Sequence, residues 1–326
     1  MALRTAIGPF VIVLGVNALH CGGAQDACAD GGACDASVTA DASSVFRSAW
    51  IPYVDGAFDR VFEPAGTRYL NDHTLLRGDD GRWHVYGIAD SSQGMPFAER
   101  ALLHASAPDL HGPWQTEADI LTATGAEQVL WAPFAFPTEP HRWVMFYYSG
   151  AVPQTLDRAD SSDLEQWVRA GRPIPGGRDP YVLKVSDGWL LYSVGVSASS
   201  HGQILVSRSA DLEHWSASTV ALEDPVASFG WGNLESPTVV VRGGEHYLFV
   251  TRTSDATIDY ARTIVFAAND PAHFTWSPVT EILAHAAEVI TDGDRQYITS
   301  AGWTSSVGQQ WRGLTLARLS WAPRMP

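Results

Sequence analysis

The chain has 326 residues, of which 45% are hydrophobic, so it can bury a large core in one large all-β domain or two smaller ones. Its formal net charge is −15, and its pI is near 5.0. These values exclude an ordinary nucleic-acid-binding protein, because no basic stripe is available to neutralise phosphates. An acidic surface suits a neutral or cationic ligand instead.

The N-terminal segment has the features of a secretion signal. Arg4 precedes an apolar run, IGPFVIVLGVNAL, which is too short to span a bilayer but suits the core of a signal peptide over residues 1–20. The run ends near Cys21, an arrangement that resembles a bacterial lipoprotein, in which this cysteine would carry the lipid anchor. The alternative is plain secretion, with Cys28 and Cys34 joined in a small disulfide. We therefore expect a secreted protein or a membrane-anchored lipoprotein of the bacterial cell envelope.

A polar segment separates this signal from the rest of the chain. Residues 21–44 are rich in Ala, Gly and Asp. Such a composition cannot bury enough apolar area to offset the entropy of ordering, so it predicts a disordered acidic linker. The folded domain is then expected to comprise residues 45–326.

Five copies of one pattern follow along the chain. Each copy has a polar or small head, a short apolar strand, a turn, and a second strand rich in aromatic and β-branched residues. The copies begin at Asn71, Trp131, Arg178, Glu235 and His285. Four of the turns contain glycine in a dipeptide typical of hairpins. The second copy has PTEPHR at this place, for which we expect a longer turn.

Most copies are followed by a further strand, a Ser/Asp turn and a tryptophan, as in DRADSSDLEQW and ILVSRSADLEHW. The aspartates of these turns, Asp109, Asp163 and Asp211, are expected to be structural. A four-stranded unit repeated five times, at roughly 45 to 60 residues, is typical of a propeller. The sequence therefore predicts an all-β fold, a five-bladed β-propeller.

The repeat also brings acidic residues together. In a propeller the first strand of each blade lines the axis, so the strand heads face the mouth of the central channel. One ring contains Asn71, Trp131, Arg178, Glu235 and His285, and the next contains Asp72, Ala132, Asp179, Ser236 and Ala286. Three carboxylates in one pocket should raise at least one pKa. Glycoside cleavage needs such a combination of a carboxylic acid and a carboxylate.

The head motifs resemble those of known enzymes. NDH at 71–73, RDP at 178–180 and ESP at 235–237 resemble the acid motifs of the five-bladed propeller glycoside hydrolases of families 43, 32, 62 and 68, with families 32 and 43 the most similar. WAP at 131–133 and HAAEV at 285–289 resemble second- and fifth-blade motifs of family 43. The resemblance runs from about residue 46 to the C terminus and keeps the order of the blades.

The resemblance implies a role for each acid. Asp72 would be the nucleophile of a retaining enzyme, as in family 32, or the general base of an inverting one, as in family 43. Asp179 would stabilise the transition state, and Glu235 would be the general acid. The acid-bearing motifs favour retention. Substrate contacts are expected from Asn71, His73, Trp131, Arg178, His285 and Glu288.

No metal or other cofactor is required by these motifs. Family 43 places a histidine near the axis, often beside calcium or water, so the resemblance allows a calcium ion near His285. A single histidine supplies little of an oxygen-rich calcium site.

The function implied is that of a monomeric glycoside hydrolase that cleaves furanosidic linkages, β-fructosides or arabinosides, in an oligo- or polysaccharide. Two alternatives stay open. One is a non-catalytic carbohydrate-binding propeller on a lipid anchor, in which the acids only hydrogen-bond sugar hydroxyls. The other is a family 130-type glycoside phosphorylase, which is disfavoured because Arg178 is the one basic residue among the strand heads.

Overall fold

A computed structural model describes residues 47–89, 99–150, 155–171, 174–175, 177–228, 232–253, 261–301 and 312–325. The predicted signal peptide (1–20), Cys21 and the predicted linker (21–44) lie outside the described residues. Phe46–Pro326 forms one compact unit. Its described secondary structure consists of β-strands, and the described part of the chain contains no helix with the length and apolar character that a membrane span requires.

The strands form five sheets, each of which is one blade. The chain enters through β1 (Trp50–Phe62), which belongs to the last blade. Blade 1 contains β2 (Asn71–Arg77), β3 (Trp83–Ala89), β4 (Ala101–Ala107), β5 (Gln115–Thr116) and β6 (Leu121–Thr122). Blade 2 contains β7 (Trp131–Glu139), β8 (Arg142–Tyr148), β9 (Thr155–Ser161), β10 (Val168–Arg169) and β11 (Ile174–Pro175). Blade 3 contains β12 (Arg178–Val185), β13 (Gly188–Val196), β14 (His201–Ser209) and β15 (Thr219–Ala227). Blade 4 contains β16 (Leu234–Arg242), β17 (Glu245–Arg252), β18 (Arg262–Ala268) and β19 (Thr280–Leu283). Blade 5 contains β20 (Val289–Asp292), β21 (Arg295–Ala301) and β22 (Leu314–Pro323), together with β1.

Blade 5 closes the ring. In blades 1 to 4 the strands pair antiparallel in chain order, except that β6 pairs with β4 and β11 pairs with β9, so each blade is built from one continuous stretch of chain. In blade 5 the order is β1-β22-β21-β20, and β1 pairs with β22 in a register that joins Trp50 to Pro323 and Tyr53 to Ser320. The two ends of the domain therefore lie in one sheet. The predicted five-bladed β-propeller is confirmed.

The hydrophobic core lies between the blades. Among the described residues there are five clusters of buried apolar side chains, and each draws its members from two neighbouring blades. Tyr86 of blade 1 and Tyr147 of blade 2 share one cluster, whereas Phe249 of blade 4 and Leu319 of blade 5 share another. Because burial of such large side chains contributes about 1.5–3 kcal/mol each, these interfaces fix the blades and the inner strands that they carry.

The hairpin turns of blades 1, 4 and 5 contain glycine as predicted, whereas in blade 3 residues 186–187 form the turn and Gly188 begins β13. Gly243 and Gly244 lie between β16 and β17 with φ of 61° and 84°, as the tight hairpin turn with two positive φ angles requires. The expectation of a longer turn in blade 2 was wrong. Glu139 pairs with Arg142, so two residues form that turn, with His141 at φ 56°. The additional residue is taken up by a bulge between Pro137 and Glu139.

The Ser/Asp turns at the outer edge of the blades are built alike. In blade 2, Ser161 Oγ accepts a hydrogen bond from Leu164 N at 2.9 Å, and Asp163 Oδ1 accepts one from Gln166 N at 2.7 Å. The same bonds recur in blade 3, where Ser209 and Asp211 are the acceptors. These aspartates are turn residues, because their oxygens satisfy local backbone N–H groups.

Candidate active site

The five strand heads meet at one end of the propeller axis. Asn71, Trp131 and Arg178 are the first residues of β2, β7 and β12, and Glu235 is the second residue of β16. In blade 5 the carbonyl of His285 accepts a hydrogen bond from Ala301 N at 3.2 Å, which gives His285 the corresponding place. The inner strands thus begin in one register around the axis.

Each head is followed by one extra residue in the inner strand. In blade 1, Asn71 pairs with Ile88 and Thr74 pairs with Tyr86, so three steps on the inner strand match two on its partner. Corresponding irregularities occur in blades 2, 3 and 4. Such a bulge re-aims the side chain of the extra residue, and here that residue is Asp72 or its counterpart in the next blades.

The extra residue adopts a left-handed backbone in four of the five blades. The φ angles are 47° at Ala132, 52° at Asp179, 50° at Ser236 and 47° at Ala286. Non-glycine residues adopt this conformation rarely, and in globular proteins such strain is concentrated at functional sites. The repeated bulge therefore fixes the backbone of the second ring by geometry, independently of the side chain present.

Asp72, Asp179 and Glu235 are brought together and joined by hydrogen bonds. Ser236 Oγ donates to Asp72 Oδ1 at 2.9 Å, and the backbone N–H of Ser236 donates to Asp179 Oδ2 at 3.1 Å. Arg178 Nη1 donates to the same Asp179 oxygen at 2.8 Å. Arg178 Nη2 lies 3.1 Å from Glu235 Oε1. Side chains from blades 1, 3 and 4 thus form a single polar network at the axis.

The electrostatics of this network differ from those of exposed acids. Burial, with the charge of Asp179 as the second cause, raises the pKa of Asp72 to about 7, against the hydrogen bond from Ser236 and the charge of Arg178. Burial also raises the pKa of Glu235 to about 7; Arg178 opposes the shift, whereas Asp179 and Asp72 add to it. The two groups interact, so near neutral pH the pair holds about one proton between an acid and a carboxylate.

His285 lies beside this network as a neutral imidazole. Its Nδ1 is 2.6 Å from the carbonyl oxygen of Ala301, so Nδ1 carries the hydrogen and donates. Burial lowers the pKa of His285, although the Ala301 carbonyl and the charges of Glu235 and Asp179 oppose the shift. The backbone N–H of His285 donates to Ser300 Oγ at 2.9 Å. The ring is therefore held in one orientation from its own blade.

Trp131 and Asn71 lie at the mouth of the site. Both are half-buried, and the Trp131 ring packs on Tyr148 with centroids 5.8 Å apart and planes tilted by 33°. An indole partly open at the mouth offers an apolar face to a sugar ring. Their roles in substrate binding stay predictions.

His73 and Glu288 lie deeper in the axial cavity, which Phe134, Tyr181 and Thr238 also line. His73 Nε2 is 2.8 Å from Thr299 Oγ1. Glu288 accepts from Leu75 N at 2.8 Å and from Thr74 Oγ1 at 3.1 Å. These contacts join blade 1 to blade 5 below the acids. A substrate contact from either side chain stays a prediction.

The residues around His285 do not fit an ordinary calcium site. Calcium takes 6–8 oxygen ligands, whereas His285 offers a nitrogen and Glu288 is engaged by blade 1. Within the described ranges, the one group of three His or acidic side chains close enough to share an ion lies elsewhere, at His84, His104 and Glu165. Calcium near His285 therefore enters none of the steps proposed below.

Ser236 is the site residue whose role the sequence did not reveal. It was placed in the second ring, but serine in an ESP head has no charge to mark it. Its backbone N–H and its hydroxyl serve different acids, Asp179 and Asp72. Only the bulge conformation of blade 4 shows that one residue can link blade 3 to blade 1.

The sequence matches no protein-family model and no curated protein. Solved structures do match. The GH43_1 enzyme from Xanthomonas citri aligns over 82% of this chain and 89% of its own, with 16% identity and a TM-score of 0.60. The chain shares that fold. RS223-Beta-xylosidase aligns over 83% of this chain and 96% of its own at 14% identity, TM-score 0.60. An exo-1,5-α-L-arabinanase from a bovine ruminal metagenomic library aligns over 80% and 95% at 13% identity, TM-score 0.54.

Proposed function

We propose that this propeller is a glycoside hydrolase, with Asp72, Asp179 and Glu235 as its catalytic carboxyl groups. The observation that carries the proposal is the Asp72–Ser236–Asp179–Arg178–Glu235 network, which holds three acids at the open end of the axis. The similar solved structures support it: two are described as a β-xylosidase and an exo-arabinanase, and another holds xylotriose.

Glu235 would act as the general acid. Its raised pKa of about 7 keeps a proton available near neutral pH, where an ordinary glutamate has lost it. That proton passes to the glycosidic oxygen as the bond to the anomeric carbon breaks. Arg178 then stabilises the glutamate charge that develops, because its guanidinium already lies 3.1 Å away.

Asp72 would supply the carboxylate on the other side of the scissile bond. We propose that it attacks the anomeric carbon to form a covalent glycosyl ester, as the NDH and RDP motifs favour. A water deprotonated by Glu235 then breaks this ester, so the two displacements give retention and Asp72 is released as a carboxylate; the alternative is activation of a water by Asp72 and inversion. In either case the hydrogen bond from Ser236 Oγ holds its orientation. Asp179 accepts hydrogen bonds from Arg178 and from the backbone N–H of Ser236. Because Arg178 contacts Glu235 and Ser236 contacts Asp72, Asp179 holds in place the partner of each reacting acid.

The substrate class proposed is a furanoside, a β-fructoside or an arabinoside, in an oligo- or polysaccharide. It rests on the resemblance of the head motifs. Secretion or a lipid anchor at Cys21, which we also propose from the N-terminal sequence, would place the enzyme where such polysaccharides are met.

The test is hydrolysis of 4-nitrophenyl α-arabinofuranoside and of a β-fructoside, beside β-xyloside and β-galactoside. We expect turnover of a furanoside, and a loss of roughly 10²–10⁴-fold in kcat for Asp72→Asn. Asp59→Asn, which removes an exposed carboxylate from β1, is the control and should leave turnover unchanged. Proton NMR of the first product sugar then gives the stereochemistry.

The other outcomes contradict parts of the proposal. Sugar binding by calorimetry without turnover would indicate a carbohydrate-binding propeller. Turnover only with inorganic phosphate, yielding a sugar 1-phosphate, would indicate a phosphorylase. Turnover of xylosides or galactosides alone would keep the hydrolase and overturn the furanoside.

A further inference from the structure

Two buried histidines face each other in blade 1, at the end of the propeller opposite to the strand heads. His84 lies on β3 and His104 on the neighbouring β4, and they are 2% and 0% exposed. His84 Nδ1 is 2.9 Å from His104 Nε2. The two rings lie nearly parallel, with centroids 5.2 Å apart, and His104 also stacks on Tyr86. The pair forms no part of the axial network.

The outer nitrogen of each ring points toward a carboxylate. His84 Nε2 lies 3.4 Å from Asp80 Oδ2, and His104 Nδ1 lies 3.9 Å from Glu165 Oε2. Both nitrogens are buried, and neither makes a hydrogen bond in the described structure. Glu165 belongs to the Ser/Asp turn of blade 2, so the cluster spans the groove between two blades.

The two imidazoles do not have enough N–H groups for both outer nitrogens to donate to the carboxylates that they face. Two neutral imidazoles carry two N–H groups and two lone pairs, and the bond between the rings uses one of each. One of the two outer nitrogens must then present a lone pair toward a carboxylate. The ring nitrogens are buried, whereas the Asp80 and Glu165 side chains are 47% and 54% exposed. A cation from solvent can therefore reach the lone pair and the carboxylate that faces it.

The next groove shows how the fold meets this need elsewhere. Arg158 pairs with Phe146 in blade 2 as His104 pairs with Tyr86 in blade 1. Glu213 stands in the blade 3 turn as Glu165 does in the blade 2 turn. There the Arg158 guanidinium lies 2.7 Å from Asp160 and 3.3 Å from Glu213 and supplies the positive charge. In the groove of blades 1 and 2, imidazoles take the place of this fixed cation.

We propose that His84, His104 and Glu165 bind a zinc-class divalent metal ion that links blade 1 to blade 2. One ligand atom from each of the three lies within 4.8 Å of the others. Zinc binding would replace the hydrogen bond between the rings, so that each imidazole presents a lone pair to the ion, and the side chains would rotate to reach zinc bonds of about 2.0–2.2 Å to nitrogen and oxygen. Two imidazoles and a carboxylate suit zinc rather than calcium or magnesium, which prefer oxygen. Asp80 Oδ2, which lies 3.4 Å from His84 Nε2, orients the His84 ring.

The test is metal binding by the full chain, freed of any affinity tag and treated with chelator. Zinc is titrated by calorimetry, and Co²⁺ is followed by its visible absorption, which reports nitrogen and oxygen ligands directly. We expect one ion per chain and a higher Tm with zinc. Glu165→Gln should weaken zinc binding by about tenfold or more. Glu213→Gln is the matched control in the next groove and should not change it.

A second variant keeps the test independent of folding defects. His104→Arg introduces the cation that Arg158 supplies in the next groove, so it should lose zinc binding and the Co²⁺ spectrum, and circular dichroism checks that the variant is folded. Absence of zinc binding to the unaltered chain at millimolar zinc would overturn the proposal. So would binding that persists in both Glu165→Gln and His104→Arg. Binding lost in Asp72→Asn but kept in Glu165→Gln would place the ion at the axis and overturn it as well.

Discussion

Arg178 and Asp179 should move the titration of the axial acids in opposite directions. The Arg178 charge lowers the pKa of both Asp72 and Glu235, whereas the Asp179 charge raises both. Removal of the guanidinium in Arg178→Gln should therefore raise both pKa values above about 7. Removal of the carboxylate in Asp179→Asn should lower both, since the like charge disappears.

The size of the Arg178 effect follows from its distance to Glu235. At the observed 3.1 Å and an effective dielectric constant of about 20, the Coulomb energy is about 5 kcal/mol. At 1.36 kcal/mol per unit, this corresponds to an upper limit of about 4 pKa units. Water that fills the space left by the shorter glutamine side chain will screen part of this Coulomb energy. We therefore expect an upward shift of roughly 1–3 units for Glu235.

Carbon NMR of the protein labelled at Asp and Glu carboxyls measures these pKa values without need of a substrate. The activity profile gives a second readout: its acidic and alkaline limbs report the two apparent pKa values of the Asp72–Glu235 pair, the first for loss of one proton and the second for loss of the other. Both limbs should move to higher pH in Arg178→Gln and to lower pH in Asp179→Asn. Shifts in the same direction for the two variants, or no shift in either, would refute the electrostatic reasoning.

Three further substitutions test other parts of the structure. Ser236→Ala removes the hydrogen bond to Asp72, so the pKa of Asp72 should rise and kcat at neutral pH should fall roughly 10–100-fold; a kcat equal to that of the unaltered chain would speak against this role. Glu288→Gln tests the buried acid whose pKa is raised to about 8, mainly by burial. Between pH 4.5 and about 8 the folded protein holds this proton and the unfolded chain does not. The contribution of Glu288 to the free energy of unfolding is therefore full below pH 4.5 and is lost as the pH rises through about 8. The free energy of unfolding, measured in urea from pH 5 to 9, should therefore depend less on pH in the variant. The same pH dependence in both proteins would contradict this role of Glu288. Phe249→Ala, at a fully buried side chain, should lower the free energy of unfolding by about 3–5 kcal/mol without moving the pKa values of Asp72 and Glu235; a loss below 1 kcal/mol in urea unfolding would place this cluster outside the core.

The repeat made much of the site predictable. Once five copies are aligned, Asp72, Asp179 and Glu235 fall at equivalent positions, and antiparallel blades around one axis must bring equivalent positions together. Arg178 and Asp179 are adjacent in the sequence, so the same strand head carries both side chains. These inferences needed only the period of the pattern and the alternation of the strands.

Other features depend on backbone conformation or on contacts between blades. The positive φ at Ala132 and Ala286 has no signal in the residue type, since alanine gives no preference for a left-handed backbone. The placement of Glu165 beside His104 joins two blades through a surface turn, and nothing in the local sequence marks that approach. The contacts of the Arg178 guanidinium with both Asp179 and Glu235 are likewise visible only in the structure.

Leaving-group dependence tests the central claim most directly. Glu235→Gln and Asp72→Asn are compared on an activated aryl glycoside and on the natural glycosidic linkage of the same sugar. An aryl leaving group departs without a proton, so Glu235→Gln should retain much of its activity on the aryl substrate and lose roughly 10²–10⁴-fold on the natural linkage. Asp72→Asn should lose activity on both. Equal losses on both substrates in Glu235→Gln, or full activity in Asp72→Asn, would contradict the assignment of this network as a glycosidase site.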